Sequence, residues 1–89
     1  MGSDLTPGDD RRYREVADAF GPALVRLAGA YERDEVRRGD LLQEIHVALW
    51  RSLSLFDERC SLRTWVYRVA HNTALSYVAA SGAHGSAQR

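Results

Sequence analysis

The sequence predicts an all-α protein, a compact bundle of three to four helices. Three observations lead there. Apolar residues recur at three- and four-residue spacing in every apolar segment, the period of a helix with one buried face. No segment alternates apolar and polar residues through a β-branched run, so nothing reads as a strand. The 89 residues are 45% hydrophobic and 27% charged, which suits one small domain with one modest core. Residues 1–8 are read as a flexible N-terminus, 9–80 as the helical domain, and the small, polar, Gly-containing SGAHGSAQR over 81–89 as a flexible tail.

The first helix is predicted to begin near Asp9 and Asp10, acids that favour a helix N-terminus, and to carry Tyr13, Val16, Ala17 and Phe20 on one face. Gly21-Pro22 then marks a kink or a fresh start, with Leu24, Leu27, Ala28 and Tyr31 continuing the stripe. The polar stretch ERDEVRR, 32–38, ends at Gly39, read as a C-cap. Asp40 is read as the N-cap of the next helix, with Gln43 completing a capping box. That helix should end between Leu53 and Phe56. The segment SLFDERCS, 54–61, reads as a loop whose Ser61 caps a last helix running from Leu62 to about Val78.

Two helices have more to offer than a core face. At about 100° per residue, Leu41, Leu42, Ile45, Ala48, Leu49, Ser52 and Leu53 gather on one arc. Gln43, His46, Val47 and Trp50 lie opposite, with Glu44 and Arg51 at one flank. An outward tryptophan suits a protein interface, where it supplies area and an N–H donor; packing under another element of the same chain explains it equally well. In the last helix Leu62, Trp65, Val66, Val69, Ala70, Thr73 and Tyr77 form the core arc. Arg63, Thr64, Tyr67, Arg68, His71 and Asn72 remain, a surface of cations, a ring and an amide that can hold phosphates, stack an unpaired base and read a base edge. The bland alternatives are that Arg68 pairs with an acid of the first helix and that Tyr67 covers the core. Leu75 fits neither face and is left to packing against the first helix.

Charge is divided along the chain. The formal net charge is zero, but residues 1–58 hold all twelve acids and eight arginines, net −4, while 59–89 hold Arg59, Arg63, Arg68 and Arg89 with no acid, net +4. A polyanion would meet the second part. Catalysis is not expected. His46, His71, His84 and Cys60 lack zinc-ligand spacing, Glu44 and His46 project differently from a helix, and no Gly-rich phosphate loop follows a strand. No metal or cofactor is implied. A single cysteine excludes an internal disulfide and suits a reducing compartment. With no signal peptide and no apolar run near 18 residues, a cytoplasmic protein without membrane insertion is expected.

The stretch DLLQEIHVALWRSLSLFDERCSLRTWVYRVAHNTALSYV resembles the second conserved region (sigma2) of bacterial RNA polymerase sigma factors, the extracytoplasmic-function (ECF) group above all. DLLQE and ALW open and close one helix, and SLRTWVYRVAHNTA follows a short loop; the likeness covers about residues 11–80. It implies a helical domain that binds the clamp helices of the polymerase β′ subunit and captures the non-template single strand of the promoter minus-ten element as it melts. On that basis Asp40, Gln43, Glu44, Val47 and Trp50 become candidates for the clamp contact. Phe56, Arg59 and Ser61 fall in the loop that would capture a flipped base. Arg63, Trp65, Tyr67, Arg68, His71 and Asn72 would face the melted segment, Asn72 lining the base pocket and Trp65 supporting it from the core.

Two departures stand out. Family members usually continue the last helix into a basic run, whereas SYVAASGAHGSAQR has no Arg, Lys, Asp or Glu before Arg89. They also normally carry a second domain that reads the minus-35 element, so the resemblance implies an isolated domain of a longer factor or a one-domain protein. The runner-up reading is an interaction module that binds the clamp or an anti-sigma factor without reading DNA. A generic helix-turn-helix regulator is a more distant third.

Overall fold

Three helices account for nearly all of the chain in the computed structural model, which describes residues 7–87, with side chains described over 11–80. They are α1 (Pro7–Tyr31), α2 (Glu35–Ser52) and α3 (Leu62–Ala87), with a 3-10 turn over Leu53–Leu55 closing α2. The expected all-α bundle is what forms, and no strand occurs among the described residues. The flexibility expected of 1–8 and 81–89 falls on ends whose side chains lie outside the described residues.

Gly21-Pro22 does not end the first helix. Tyr13, Val16, Phe20, Leu24, Leu27, Ala28 and Tyr31 keep one helical phase across the pair, so a continuous α1 buries the whole stripe against its neighbours. Pro22 forfeits the N–H that would reach the Asp18 carbonyl, but both residues are exposed, leaving that carbonyl on the solvent side.

The start of α2 corrects the expectation more sharply. Asp34, not Asp40, is the N-cap: its backbone is extended (φ −65°, ψ 126°) and its carboxylate accepts the Arg37 N–H at 2.9 Å. Arg37 also reaches back to Glu32 at 3.5 Å. Gly39 and Asp40 therefore sit inside the helix, and neither the Gly39 C-cap nor the capping box of Asp40 with Gln43 forms. The earlier start wins because each added residue gains a backbone hydrogen bond, while an interior glycine costs only about 1 kcal/mol. The cap expected at Ser61 does form: its Oγ accepts the Thr64 N–H at 3.1 Å and its carbonyl accepts the Trp65 N–H at 3.0 Å. At the other end α3 continues as helix past the expected stop at Val78 to Ala87. That segment contains no proline, and its glycines weaken a helix without forbidding it.

Short links between the helices and the contacts that join them give an up-down-up arrangement in which each helix touches the other two. Val16, Leu24, Leu27 and Ala28 of α1, Leu41, Ile45 and Leu49 of α2, Leu53, and Val66, Ala70 and Ala74 of α3 form the core, and no polar or charged side chain is buried among the described residues. The small residues of α3 let the leucines of α2 close over them. Leu75, left to packing against α1, is 55% exposed, and the neighbouring Ala74 is the buried one.

One tyrosine hydroxyl joins each pair of helices. Tyr13 meets His46 Nδ1 at 2.9 Å between α1 and α2, Tyr31 meets His71 Nδ1 at 2.8 Å between α1 and α3, and Tyr77 donates to Asp40 Oδ2 at 3.0 Å between α3 and α2.

Candidate functional site

On α2 the face opposite the core is a continuous outward stripe. Val36, Asp40, Gln43, Val47 and Trp50 follow one another at alternating four- and three-residue spacing, and all are exposed. Such spacing draws a straight seam suited to another helix, over about 21 Å at 1.5 Å per residue. Val47 keeps 40% and Trp50 36% of its surface in solvent, so both present apolar area on this face. Glu44 and Arg51 are exposed at its flank. Two members of the predicted face behave differently. His46 turns toward α1, and burial lowers its pKa below the ordinary 6.5. Asp40 already accepts the Tyr77 hydroxyl; burial first, and then that hydrogen bond, raise the Tyr77 pKa above 10.0, with Arg37 opposing.

The loop after the 3-10 turn is fixed at several points. Phe56 rests against Trp65, ring centroids 5.6 Å apart and planes tilted by 48°. Asp57 accepts the Arg59 N–H at 3.1 Å and pairs with its Nε at 3.1 Å. Between them Glu58 takes φ 65°, a left-handed conformation that the turn imposes on a residue with a Cβ. Ser61 closes the loop, its hydroxyl committed to Thr64 by donating to Oγ1 at 3.0 Å while accepting the backbone N–H.

The surface predicted on α3 divides into two edges. Arg63, Tyr67 and His71 lie toward α1: Tyr67 stands edge-on to Phe20 at 6.1 Å, Arg63 sits 5.7 Å from the Tyr67 ring centroid, and His71 bonds to Tyr31. Tyr67 thus covers the core, as the blander reading had it. Trp65, Arg68 and Asn72 mark the other edge. Arg68 and Asn72 are exposed, and Arg68 has no ion pair among the described residues, which include Glu15 and Asp18 of α1. Trp65 is half-buried and supports Phe56, yet its buried Nε1 has no hydrogen-bond partner among the described residues.

Loop and second edge together give a partly aromatic surface with two arginines, of which Arg59 pairs with Asp57, and an exposed amide at Asn72. Such a surface can hold a backbone phosphate, stack a ring and pair with a base edge. Sequence reasoning missed Arg12, whose guanidinium carbon lies 5.7 Å from the Phe56 centroid. No local pattern ties α1 to that loop. Among the described residues no group of side chains could hold a metal ion, and no helix is long and apolar enough to cross a membrane.

With this geometry in place, comparison gives the family. The Sigma-70 region 2 family matches residues 16–83. The chain is 40% identical over 76 residues to an ECF RNA polymerase sigma-E factor of Haemophilus influenzae, covering 84% of this chain and 39% of that one. It is 28% identical over 75 residues to the RNA polymerase sigma-H factor of Pseudomonas aeruginosa, covering 84% and 39%. It is 26% identical over 72 residues to the RNA polymerase sigma factor CnrH of Cupriavidus metallidurans, covering 81% and 38%. No solved structure matches. The chain belongs to the Sigma-70 region 2 family, and it spans less than two fifths of the length of these curated relatives.

Proposed function

We propose that this chain is the promoter-recognition domain of an ECF sigma factor, a non-enzymatic part of transcription initiation that works in the cytoplasm on RNA polymerase core. The α2 stripe docks on the β′ clamp helices through Asp40, Gln43, Glu44, Val47 and Trp50. The Phe56–Ser61 loop with Trp65, Arg68 and Asn72 holds the non-template strand of the minus-ten element as it melts. The observation that carries the reading is the pair of separate free surfaces. One is a partly exposed helical seam on α2; the other is a loop edge followed by a helix without an acid.

The chemistry is binding, not bond breaking. Extruding a base costs on the order of a few kcal/mol, which stacking at about 1–3 kcal/mol per base and phosphate contacts must offset. Arg59 and Arg68 supply charge, Phe56 supplies a ring, and Asn72 supplies an amide for a base edge.

The test is association with polymerase core followed by binding to single-stranded promoter DNA. Asn72→Ala and Arg68→Ala are expected to weaken binding to the minus-ten strand more than to a scrambled strand, with core association retained. Equal loss on both strands would reduce the surface to simple charge attraction. The second reading, a module that binds the clamp or an anti-sigma factor without reading DNA, draws on the side chains already engaged at Ser61, Tyr67 and His71. It predicts core association with no preference between strands.

A further inference from the structure

Phe56 is held between two helices distant in sequence. Its ring centroid lies 5.6 Å from that of Trp65 of α3 and 5.7 Å from the guanidinium carbon of Arg12 of α1. Arg12 is half-buried, and among the described residues it has no ion pair. At that separation a guanidinium is attracted by the face of an aromatic ring. Phe56 is also where the chain leaves the 3-10 turn for extended backbone (φ −68°, ψ 119°). Whatever fixes its ring fixes the start of the loop, as the Ser61 cap fixes the end.

We propose that Arg12 is a positioning residue for strand reading: from α1 it seats Phe56 on Trp65 and so sets the conformation of the loop 56–61. This rests on the promoter-reading function given above, to which it adds the first helix. Arg12 acts through Phe56 and touches no DNA in this role.

The experiment uses the full chain. Amide hydrogen exchange is measured at Asp57, Glu58, Arg59 and Cys60, and the preference for a minus-ten over a scrambled single strand is measured with polymerase core bound. Arg12→Ala is expected to speed loop exchange and lower the strand preference, each by about two- to fivefold, the size of an exposed cation–π contact. Arg12→Lys, which keeps a cation over the ring, is expected to restore most of both. In a Phe56→Leu background Arg12→Ala should add nothing to loop exchange. Unchanged exchange in Arg12→Ala, or additive effects with Phe56→Leu, would overturn the proposal. Equal loss on both strands with a quiet loop would instead make Arg12 a phosphate contact. If the loop loosens and lysine rescues it while the parent chain shows no strand preference, the positioning role stands and promoter reading fails.

Discussion

Tyr13 on α1 and His46 on α2 meet edge-on, hydroxyl to Nδ1 at 2.9 Å with ring planes at 84°. Burial at this junction lowers the His46 pKa and raises that of Tyr13, so both groups are neutral at pH 7. The unfolded chain, with an ordinary histidine, binds a proton more readily than the folded one. The stability His46 contributes is therefore complete above its unfolded pKa, near 6.5, and is lost as pH falls toward its lower folded value. Denaturant melts from about pH 8 down to about pH 5 are expected to show a decline beginning near the unfolded pKa. His46→Gln should flatten that decline, and an unchanged pH profile would place its origin elsewhere.

Ile45 is fully buried and Trp50, on the same helix, is not. Ile45→Ala should cost about 2–5 kcal/mol through the lost contacts and the cavity. Trp50→Ala should cost under about 1 kcal/mol, as surface substitutions do. If Trp50 anchors the clamp contact, its loss should weaken polymerase association by roughly 2 kcal/mol or more. A collapse of thermal stability in Trp50→Ala would show that the ring serves the fold.

Asp34 and Asp40 should separate in the same assay. Asp34→Ala removes an N-cap and is expected to cost about 1 kcal/mol. Asp40→Ala removes the tie to Tyr77, worth about 0.5–1.5 kcal/mol, and should be non-additive with Tyr77→Phe. Polymerase affinity compared between Asp40→Ala and Tyr77→Phe then isolates the partner contact, because only the first removes the carboxylate. Full additivity of the two in thermal melts would dismiss the tie as energetically idle.

Pro22→Ala should stabilise the domain. Proline inside a helix costs about 3 kcal/mol, and roughly 0.4–1 kcal/mol returns through a stiffer unfolded chain. A net gain of about 2–2.6 kcal/mol is expected, since the exposed position leaves room for alanine. A lower melting temperature would mean that the helix gains something from proline that its backbone geometry hides.

The parts legible in the sequence were those set by period. The core arcs of α2 and α3 and the outward placement of Val47 and Trp50 follow from counting residues around a helix, because burial on one face leaves the other in solvent. What local reading could not decide was competition between equivalent signals. Asp34 and Asp40 are both able caps, and the outcome depended on how far the helix could grow, not on either side chain. The α3 surface failed differently. Tyr67 and His71 face outward on their own helix, but Phe20 and Tyr31 of α1 come to meet them, and Arg63 lies near the Tyr67 ring. Contacts from a distant segment leave no trace in a wheel, and Arg12 over Phe56 was invisible for the same reason.

The loop from Phe56 to Ser61 carries a kinetic consequence. Its ring contacts, its Asp57–Arg59 turn and its Ser61 cap are all made within the chain, so if the loop holds a strand as proposed, the entropy of ordering it is lost on folding. A receptor arranged beforehand needs no slow rearrangement after encounter. Variants that loosen this segment should then reveal themselves by slower capture of the melted strand, even where the final complex makes the same contacts.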